Sequence, residues 1–327
     1  MQANHKALKI YRCGRIFLGL LLFTIVSCLI TMELLRHQPT VILSFLQTKN
    51  PKVFCWVLTT PGNLPKKATA VKNTWLKRCD GAIFVTSNHT DPSFPAMALG
   101  IPEGRDHLSD KSFAAFKYIY NNHLKDFDWF LKADDDTYVI MENLKHFLQK
   151  FDSTDPLYFG QYIGNQKQIP VKQGYASGGA GYVLSQEALR RMQEIGTNDT
   201  KYQCRKNTGY EDADIGICLE NLNVTLGVSR DNNNQITFHS FNPLGVLNMD
   251  PILGNIYQYT NGNTNVGKEK GEKILSSSTI SFHYVDPGTM YLLDFLIYDL
   301  NVHKLRGDNR YIWDNNPKRT YKDLLRT

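Results

Sequence analysis

The sequence predicts an α/β fold in which a parallel sheet carries helices on both faces. Two observations lead to this prediction. Short apolar runs alternate along the chain with segments whose apolar residues recur at helical spacing, an order typical of parallel sheets. Three consecutive acids, Asp134-Asp135-Asp136, follow one such apolar run and precede a helical segment. Because ligands bind at the ends of strands in open α/β sheets, we expect a functional site there.

The first half of the chain supplies the alternating elements. We predict strands over residues 53–60, 81–86 and 128–131, and helices over residues 66–77 and 111–124. The apolar residues Ala68, Val71 and Trp75 lie on one face of the first helix. Residues 87–110 form a long, irregular connection in this prediction.

Beyond the acids the pattern changes. The apolar residues Ile140, Leu144, Phe147 and Leu148 recur at helical spacing. Further strands are predicted over 158–163, 181–185 and 280–285, and further helices over 186–195 and 290–300. Residues 254–273 are rich in Asn, Gly, Lys and Glu, which predicts a flexible loop.

The acidic triplet itself indicates a divalent metal site. Adjacent carboxylates repel one another unless a cation lies among them. In an extended segment Asp134 and Asp136 point to the same side. Two carboxylates, water and phosphate oxygens suit Mg²⁺ or Mn²⁺. The alternative is a solvated acidic turn, which the apolar flanks disfavour.

Charge and hydropathy indicate a membrane anchor rather than a nucleic-acid-binding surface. The chain has 327 residues and a net charge of +6. Lys6, Lys9, Arg12 and Arg15 supply much of that charge, and the rest of the chain is nearly balanced, so we expect no nucleic-acid partner.

The uncharged run 16–32 predicts a signal-anchor. A signal-peptide core is the alternative, but no small-residue cleavage site follows. Residues 1–15 are then a cytoplasmic tail, because basic residues lie on that side. Residues 33–51 are a stem, and residues 52–327 are a lumenal domain. The short anchor suits the thin membranes of the early secretory pathway.

The cysteines agree with an oxidising compartment. Of the 6 cysteines, those outside the tail and anchor are Cys55, Cys79, Cys204 and Cys218. An even number favours two disulfides with three possible pairings, and short loops favour Cys55–Cys79 and Cys204–Cys218. A zinc site is a weaker alternative, because no Cys-x-x-Cys spacing occurs. Potential N-glycosylation sites are Asn88, Asn198 and Asn223.

Three further motifs are ambiguous when each is taken alone. The run Gly178-Gly-Ala-Gly181 suits either an anion-binding backbone or a plain turn. The pair Glu211-Asp212 suits a site or the start of a helix. His283 in an apolar strand is either a ligand or a structural residue.

Taken together and in this order, these motifs resemble those of the inverting β1,3-glycosyltransferases of family 31. They are Lys132-Ala-Asp-Asp-Asp-Thr-Tyr138, Val171 to Ser185, Glu211-Asp212-x-x-x-Gly216 and Ser281-Phe-His-Tyr-Val-Asp286. Within that family the chain looks most like the core 1 β1,3-galactosyltransferases. The resemblance implies a type II Golgi membrane protein whose GT-A fold has a Rossmann-like mixed sheet flanked by helices. It also implies transfer of galactose, with Mn²⁺, from UDP-galactose to O3 of GalNAc on a glycoprotein.

The same resemblance implies residue roles. Asp136 and His283 match metal ligands, and Asp212 matches the general base. Asp134 and Asp135 match residues that contact the ribose or support the metal ligands, and we group Asp134 with the metal site. The other matched donor-site positions are Thr59, Lys111, Gly178 and Gly179.

The chain departs from the family in the acceptor half. Ser109-Asp110 replaces an aromatic pair, the segment 254–262 lacks tryptophan, and Ile274-Leu275 stands where the family has two adjacent cysteines. A different acceptor or sugar is therefore one alternative. A non-catalytic, chaperone-like paralogue is another, although the intact acidic triplet favours an enzyme. A homodimer is compatible with the sequence.

Overall fold

A computed structural model describes residues 26–27, 50–89, 91–164, 169–196, 200–202, 204, 208–248 and 274–301. The chain divides into two units, residues 1–50 and 51–327, and the fold below belongs to the second. None of the helices in these described ranges combines the length and the hydropathy that crossing a bilayer needs. The predicted anchor at 16–32 lies outside the described residues except for Val26 and Ser27.

A mixed sheet organises the second unit. Within the described residues it has seven strands, in the order β10-β6-β9-β4-β1-β2-β3. Their bounds are Val53–Leu58 (β1), Gly81–Thr86 (β2), Ala96–Ala98 (β3), Trp129–Asp134 (β4), Leu157–Gly160 (β6), Tyr182–Ser185 (β9) and Thr225–Leu226 (β10). The short strands Tyr138–Val139 (β5), Tyr162–Ile163 (β7), Tyr175–Ala176 (β8), Phe238–His239 (β11) and Ser281–Phe282 (β12) pair outside it.

Strand direction confirms the parallel prediction for the strands in the first half of the chain. β1 runs parallel to β2 and β4, and β2 runs parallel to β3. β9 runs antiparallel to both β4 and β6, so the sheet is mixed, as the family resemblance implied. The carboxyl ends of β1 and β4 therefore share one edge, and the start of β9 lies at that same edge.

Helices cover both faces of the sheet. Their bounds are Thr69–Asn73 (α1), Leu108–His123 (α2), Met141–Leu148 (α3), Gln186–Arg191 (α4), Glu211–Asn221 (α5), Pro243–Leu247 (α6) and Pro287–Asp294 (α7). Single turns of π-helix over Leu64–Ala68, Met192–Gly196 and Phe295–Asp299 adjoin α1, α4 and α7. The predicted helices exist, but several are shorter α-helices extended by such turns.

Side-chain alternation along β1 divides the core into two layers. Val53, Cys55 and Val57 pack in one cluster with residues of α1, α3 and α7. Phe54, Trp56 and Leu58 pack in the other with residues of α2, α4 and α5. A strand that is buried on both faces has to be apolar throughout, which is why its sequence shows a continuous apolar run.

The predicted strands 158–163 and 280–285 differ most from the structure. The segment 158–163 breaks at Gln161, and its two halves, β6 and β7, pair in different sheets. The predicted strand 280–285 is paired only at Ser281–Phe282, because Tyr284 adopts a φ of 53°, which a strand cannot accommodate. The predicted loop 254–273 lies outside the described residues.

The preferred disulfide pairing is confirmed. Cys55 bonds to Cys79 and Cys204 bonds to Cys218, across sequence separations of 24 and 14 residues. The zinc alternative is therefore wrong. Of the glycosylation sequons, Asn88 and Asn223 are exposed, and Asn198 lies outside the described residues.

We expect each disulfide to stabilise the second unit by about 2–4 kcal/mol, because the crosslink limits the entropy of the unfolded chain. The paired variants Cys55→Ala/Cys79→Ala and Cys204→Ala/Cys218→Ala isolate the two bonds. Urea unfolding of each purified variant measures the loss, and non-reducing peptide mapping of the wild type checks the linkages. Free thiols at all four positions in secreted protein would contradict this expectation.

Candidate active site

The acidic triplet lies where β4 ends, at the shared edge of the sheet. Leu58 pairs with Asp134 in the parallel register, so Thr59 and Asp135 follow side by side. Asp134 is the last residue of β4, and Asp135 and Asp136 form a turn. The N–H of Thr137 donates to the carbonyl oxygen of Asp134 at 3.1 Å. The turn, rather than the predicted extended segment, brings Asp134 and Asp136 to one side.

Asp135 is held by the end of β1. Its Oδ2 accepts hydrogen bonds from Thr59 Oγ1 at 2.6 Å and from Asn63 Nδ2 at 2.9 Å. Burial raises the pKa of Asp135, and these two bonds oppose that rise without cancelling it. Asp135 thus fixes the turn to β1, and the hydroxyl of the predicted donor residue Thr59 is engaged in doing so.

Asp134, Asp136 and His283 form a cluster that can hold a metal ion. One potential ligand atom from each lies within 4.8 Å of the others. His283 Nε2 is 3.2 Å from Asp136 Oδ1 and 3.9 Å from Asp134 Oδ2. Burial opposes ionisation of Asp136, but its hydrogen bonds with His283 and Lys67 outweigh burial and lower its pKa to about 2. Two carboxylates and an imidazole fit a divalent cation.

Three contacts position His283 and the residues that follow it. Its N–H donates to the carbonyl oxygen of His239 at 3.0 Å, and Val285 N–H donates to the carbonyl oxygen of Asp136 at 2.9 Å. The His283 ring lies against Gly179, where a Cβ atom would stand 2.1 Å from the ring. The close approach of the His283 ring therefore requires a glycine at position 179. The structure brings the predicted ligands Asp134, Asp136 and His283 together.

Asp212 lies on the other side of the glycine turn, which comprises Gly178 to Gly181. It is in the first turn of α5. Its Oδ2 accepts the Gly178 N–H and its Oδ1 accepts the Ala213 N–H, both at 3.0 Å. Burial raises the pKa of Asp212, against the effect of these bonds and of Lys132. A carboxylate with a raised pKa binds a proton more readily, which suits a general base.

Glu211 supports the segment that carries Asp212. Its Oε1 accepts the hydroxyl of Tyr182 at 2.7 Å, and the residue is buried. Burial raises its pKa, and Asp212 adds to the rise while Lys132 opposes it. Glu211 thus joins the start of α5 to the start of β9.

Two lysines complete the site, and neither was predicted. Lys67 Nζ lies 3.0 Å from Asp136 Oδ2 and 3.6 Å from Asp135 Oδ1. Lys132 Nζ lies 2.7 Å from Asp134 Oδ1 and is buried within the sheet. A lysine amid the apolar residues of β4, two positions before an acid, is the sequence signal that could have identified Lys132.

The other residues predicted to lie in the donor site are in contact with neighbouring side chains. Lys111 is buried on α2, and its Nζ contacts Glu103 Oε2 at 2.5 Å. The Gly178 N–H, expected to face an anionic ligand, donates to Asp212. The Gly179 carbonyl oxygen accepts the hydroxyl of Thr137 at 2.8 Å. Their roles toward a donor remain predictions.

This arrangement places a cation site on one side of the glycine turn and the half-buried carboxylate of Asp212 on the other. Such a site can stabilise an anionic leaving group and accept a proton from an attacking hydroxyl. The mixed α/β fold and this site define a glycosyltransferase. A family model described as Fringe-like matches residues 48–286, and the chain belongs to this Fringe-like family.

Three curated relatives are similar to the chain. Glycoprotein-N-acetylgalactosamine 3-beta-galactosyltransferase 1 of Xenopus laevis is 40% identical over 292 residues, covering 85% of this chain and 79% of the relative. Chondroitin sulfate synthase 3 of Mus musculus is 30% identical, covering 54% of this chain and 22% of the synthase. Beta-1,3-glucosyltransferase of Mus musculus is 28% identical, covering 54% of this chain and 35% of the relative.

Gly179→Ala should remove divalent-ion binding from a folded protein, because the added methyl group occupies the position of the His283 ring. Calorimetric titration with Mn²⁺ and UDP measures the effect, and circular dichroism reports folding. Gly62→Ala is the matched control, since a Cβ atom there meets nothing within 4 Å. Wild-type ion affinity in Gly179→Ala would contradict this expectation.

Proposed function

We propose that this chain transfers galactose from UDP-galactose to O3 of GalNAc linked to Ser or Thr of glycoproteins. The name of the Xenopus relative, at 40% identity over most of both chains, supports this acceptor and sugar. The observation that carries the proposal is the grouping of Asp134, Asp136 and His283 across the glycine turn from Asp212.

Asp212 acts as the general base in this proposal. Its carboxylate takes the proton from the GalNAc 3-hydroxyl as that oxygen bonds to the anomeric carbon of galactose. The bond from that carbon to the UDP oxygen breaks, and UDP leaves with the electron pair. Attack from the face opposite UDP inverts the anomeric centre. The Gly178 and Ala213 N–H groups hold the Asp212 carboxylate in place.

The cofactor in this proposal is Mn²⁺, held by Asp134, Asp136 and His283. A divalent ion there supplies charge that stabilises the diphosphate as it leaves. The two carboxylates and the imidazole support a divalent cation in general, and the choice of Mn²⁺ follows the family resemblance. Lys67, beside Asp136, adds a positive charge at the same place.

The cellular setting is part of the proposal. A type II protein anchored by residues 16–32 in the Golgi membrane would meet GalNAc-bearing glycoproteins with its lumenal domain. The basic N-terminal tail, the disulfides and the exposed sequons at Asn88 and Asn223 support that setting. A homodimer is compatible with it.

A different acceptor or sugar is the second candidate. The segment 254–262 has no tryptophan with which to stack on a sugar ring, and that favours a changed acceptor. A non-catalytic paralogue fits less well, because this chain groups Asp134, Asp136 and His283 and keeps Asp212 bound to the glycine turn.

A donor and acceptor panel on the purified lumenal domain tests the proposal. We expect UDP-galactose and a GalNAc-bearing glycopeptide to give a β1,3-linked disaccharide in the presence of Mn²⁺, and chelation by EDTA to stop the reaction. Linkage analysis identifies the product. Transfer of another sugar, or to another acceptor alone, would replace the proposed specificity. Binding of UDP without transfer to any acceptor would favour the paralogue.

Asp212→Asn should lower the transfer rate at least about 10²-fold, because the amide keeps the shape but accepts no proton. UDP binding should persist, since the metal cluster does not include Asp212. Glu211→Gln is the matched control. It should lower the transfer rate less than Asp212→Asn does, because Glu211 only supports the segment, through its hydrogen bond with Tyr182. A transfer assay beside calorimetry with UDP and Mn²⁺ decides this. If Asp212→Asn transferred sugar at the wild-type rate, Asp212 would be excluded as the base.

A further inference from the structure

One buried ammonium group lies between the two halves of the site. Lys132 is 2% exposed in the middle of β4. Its Nζ donates to Asp134 Oδ1 at 2.7 Å and to the Gly178 carbonyl oxygen at 3.2 Å, and it lies 3.9 Å from Glu211 Oε2. It thereby contacts the cation-site strand, the glycine turn and the start of α5.

Oxygen atoms of three segments surround the Lys132 ammonium group. A buried ammonium keeps its charge only where carboxylates and carbonyl oxygens replace water around it. β4, the glycine turn and the start of α5 each supply an oxygen atom that takes the place of water. All three segments are therefore attracted to the Lys132 ammonium group.

The Gly178 contact links Lys132 to the base. The carbonyl oxygen of Gly178 accepts from Lys132, and its N–H donates to Asp212. These two groups belong to the successive peptide units on either side of the Gly178 Cα, so Lys132 and Asp212 anchor adjoining parts of the same turn. Lys132 also lies beside Glu211, the residue directly before Asp212.

We propose that Lys132 is a positioning residue that fixes the Asp212 carboxylate relative to the cation-site carboxylate Asp134, through the Gly178 turn and Glu211. This rests on the proposed role of Asp212 as the base. In this proposal Lys132 acts through those groups and not on the reacting atoms. Lys67 differs from it, because its side chain is 36% exposed and its ion pairs within the described part of the chain are with Asp135 and Asp136.

Lys132→Met tests the proposal, since methionine has a similar length and no charge. We expect kcat for transfer to fall roughly 10²-fold, the scale for a misplaced base. The KM for UDP-galactose should change less than kcat, because Asp136 and His283 do not depend on Lys132 for their mutual contact. Lys145→Met is the matched control, because it removes a similar ion pair, with Asp80 at 2.9 Å, away from the site.

A second variant separates positioning from simple charge compensation. Lys132→Met leaves Glu211 buried without its counter-ion, so that variant could fail to fold. Lys132→Met/Glu211→Gln removes both charges and should regain the thermal stability that the single variant loses. Its kcat should stay well below that of Glu211→Gln alone. Equal kcat values for these two variants would overturn the proposal, because Lys132 would then serve only to balance Glu211.

A readout independent of transfer keeps this test distinct from the test of function. Hydrogen exchange at the Gly178 amide should speed up about 10-fold or more in the double variant, because its bond to Asp212 loosens. Exchange in β1 should stay unchanged. If wild type transfers no sugar, the proposed function fails, and the exchange rate still decides the position of Lys132. Wild-type exchange at Gly178 would overturn the positioning role.

Discussion

The site depends on the two neighbours of β4 in the sheet. One of them, β1, runs parallel to β4, and the other, β9, runs antiparallel to it. β1 runs parallel to β4, so its end brings Thr59 beside the acidic turn. β9 runs antiparallel to β4, so its beginning lies at that same edge. The glycine turn precedes β9 directly and is therefore brought to the acids. A parallel strand in the place of β9 would put its beginning, and that turn, at the opposite edge of the sheet.

Because the strands bring several charged groups to one edge of the sheet, those charges have to be compensated. Carboxylates and buried cations are costly unless each faces an opposite charge or hydrogen-bond donors. Asp136 faces Lys67 and His283, while Asp134 faces Lys132. Asp212 is satisfied instead by two backbone N–H groups. The acids are thus differentiated: Asp136 is held ionised by its neighbours, while burial makes Asp212 the better proton acceptor.

The sequence could predict the elements that have a strong local signal. The apolar runs of β1 and β4 and both disulfides were predicted correctly, as was the approach of His283 to the acids. The residues alone could not reveal the direction of β9, because it depends on partners distant in the chain. The position of Lys132 within an apolar strand was a local signal that could have marked it, but its contacts with three segments form only on folding and could not be predicted.

The catalytic half and the acceptor half of the site are under different physical constraints. The residues proposed to do the chemistry hold one another: Gly179 packs on His283, Gly178 binds Asp212, and Lys132 joins both sides. Each of these contacts links described residues of β4, the glycine turn, α5 and the end of β12. The departures at 254–262 fall outside the described residues, and the contacts just named are made without them. A changed acceptor segment can therefore coexist with an intact reaction centre, because the groups that position the base and the cation are fixed by the sheet itself.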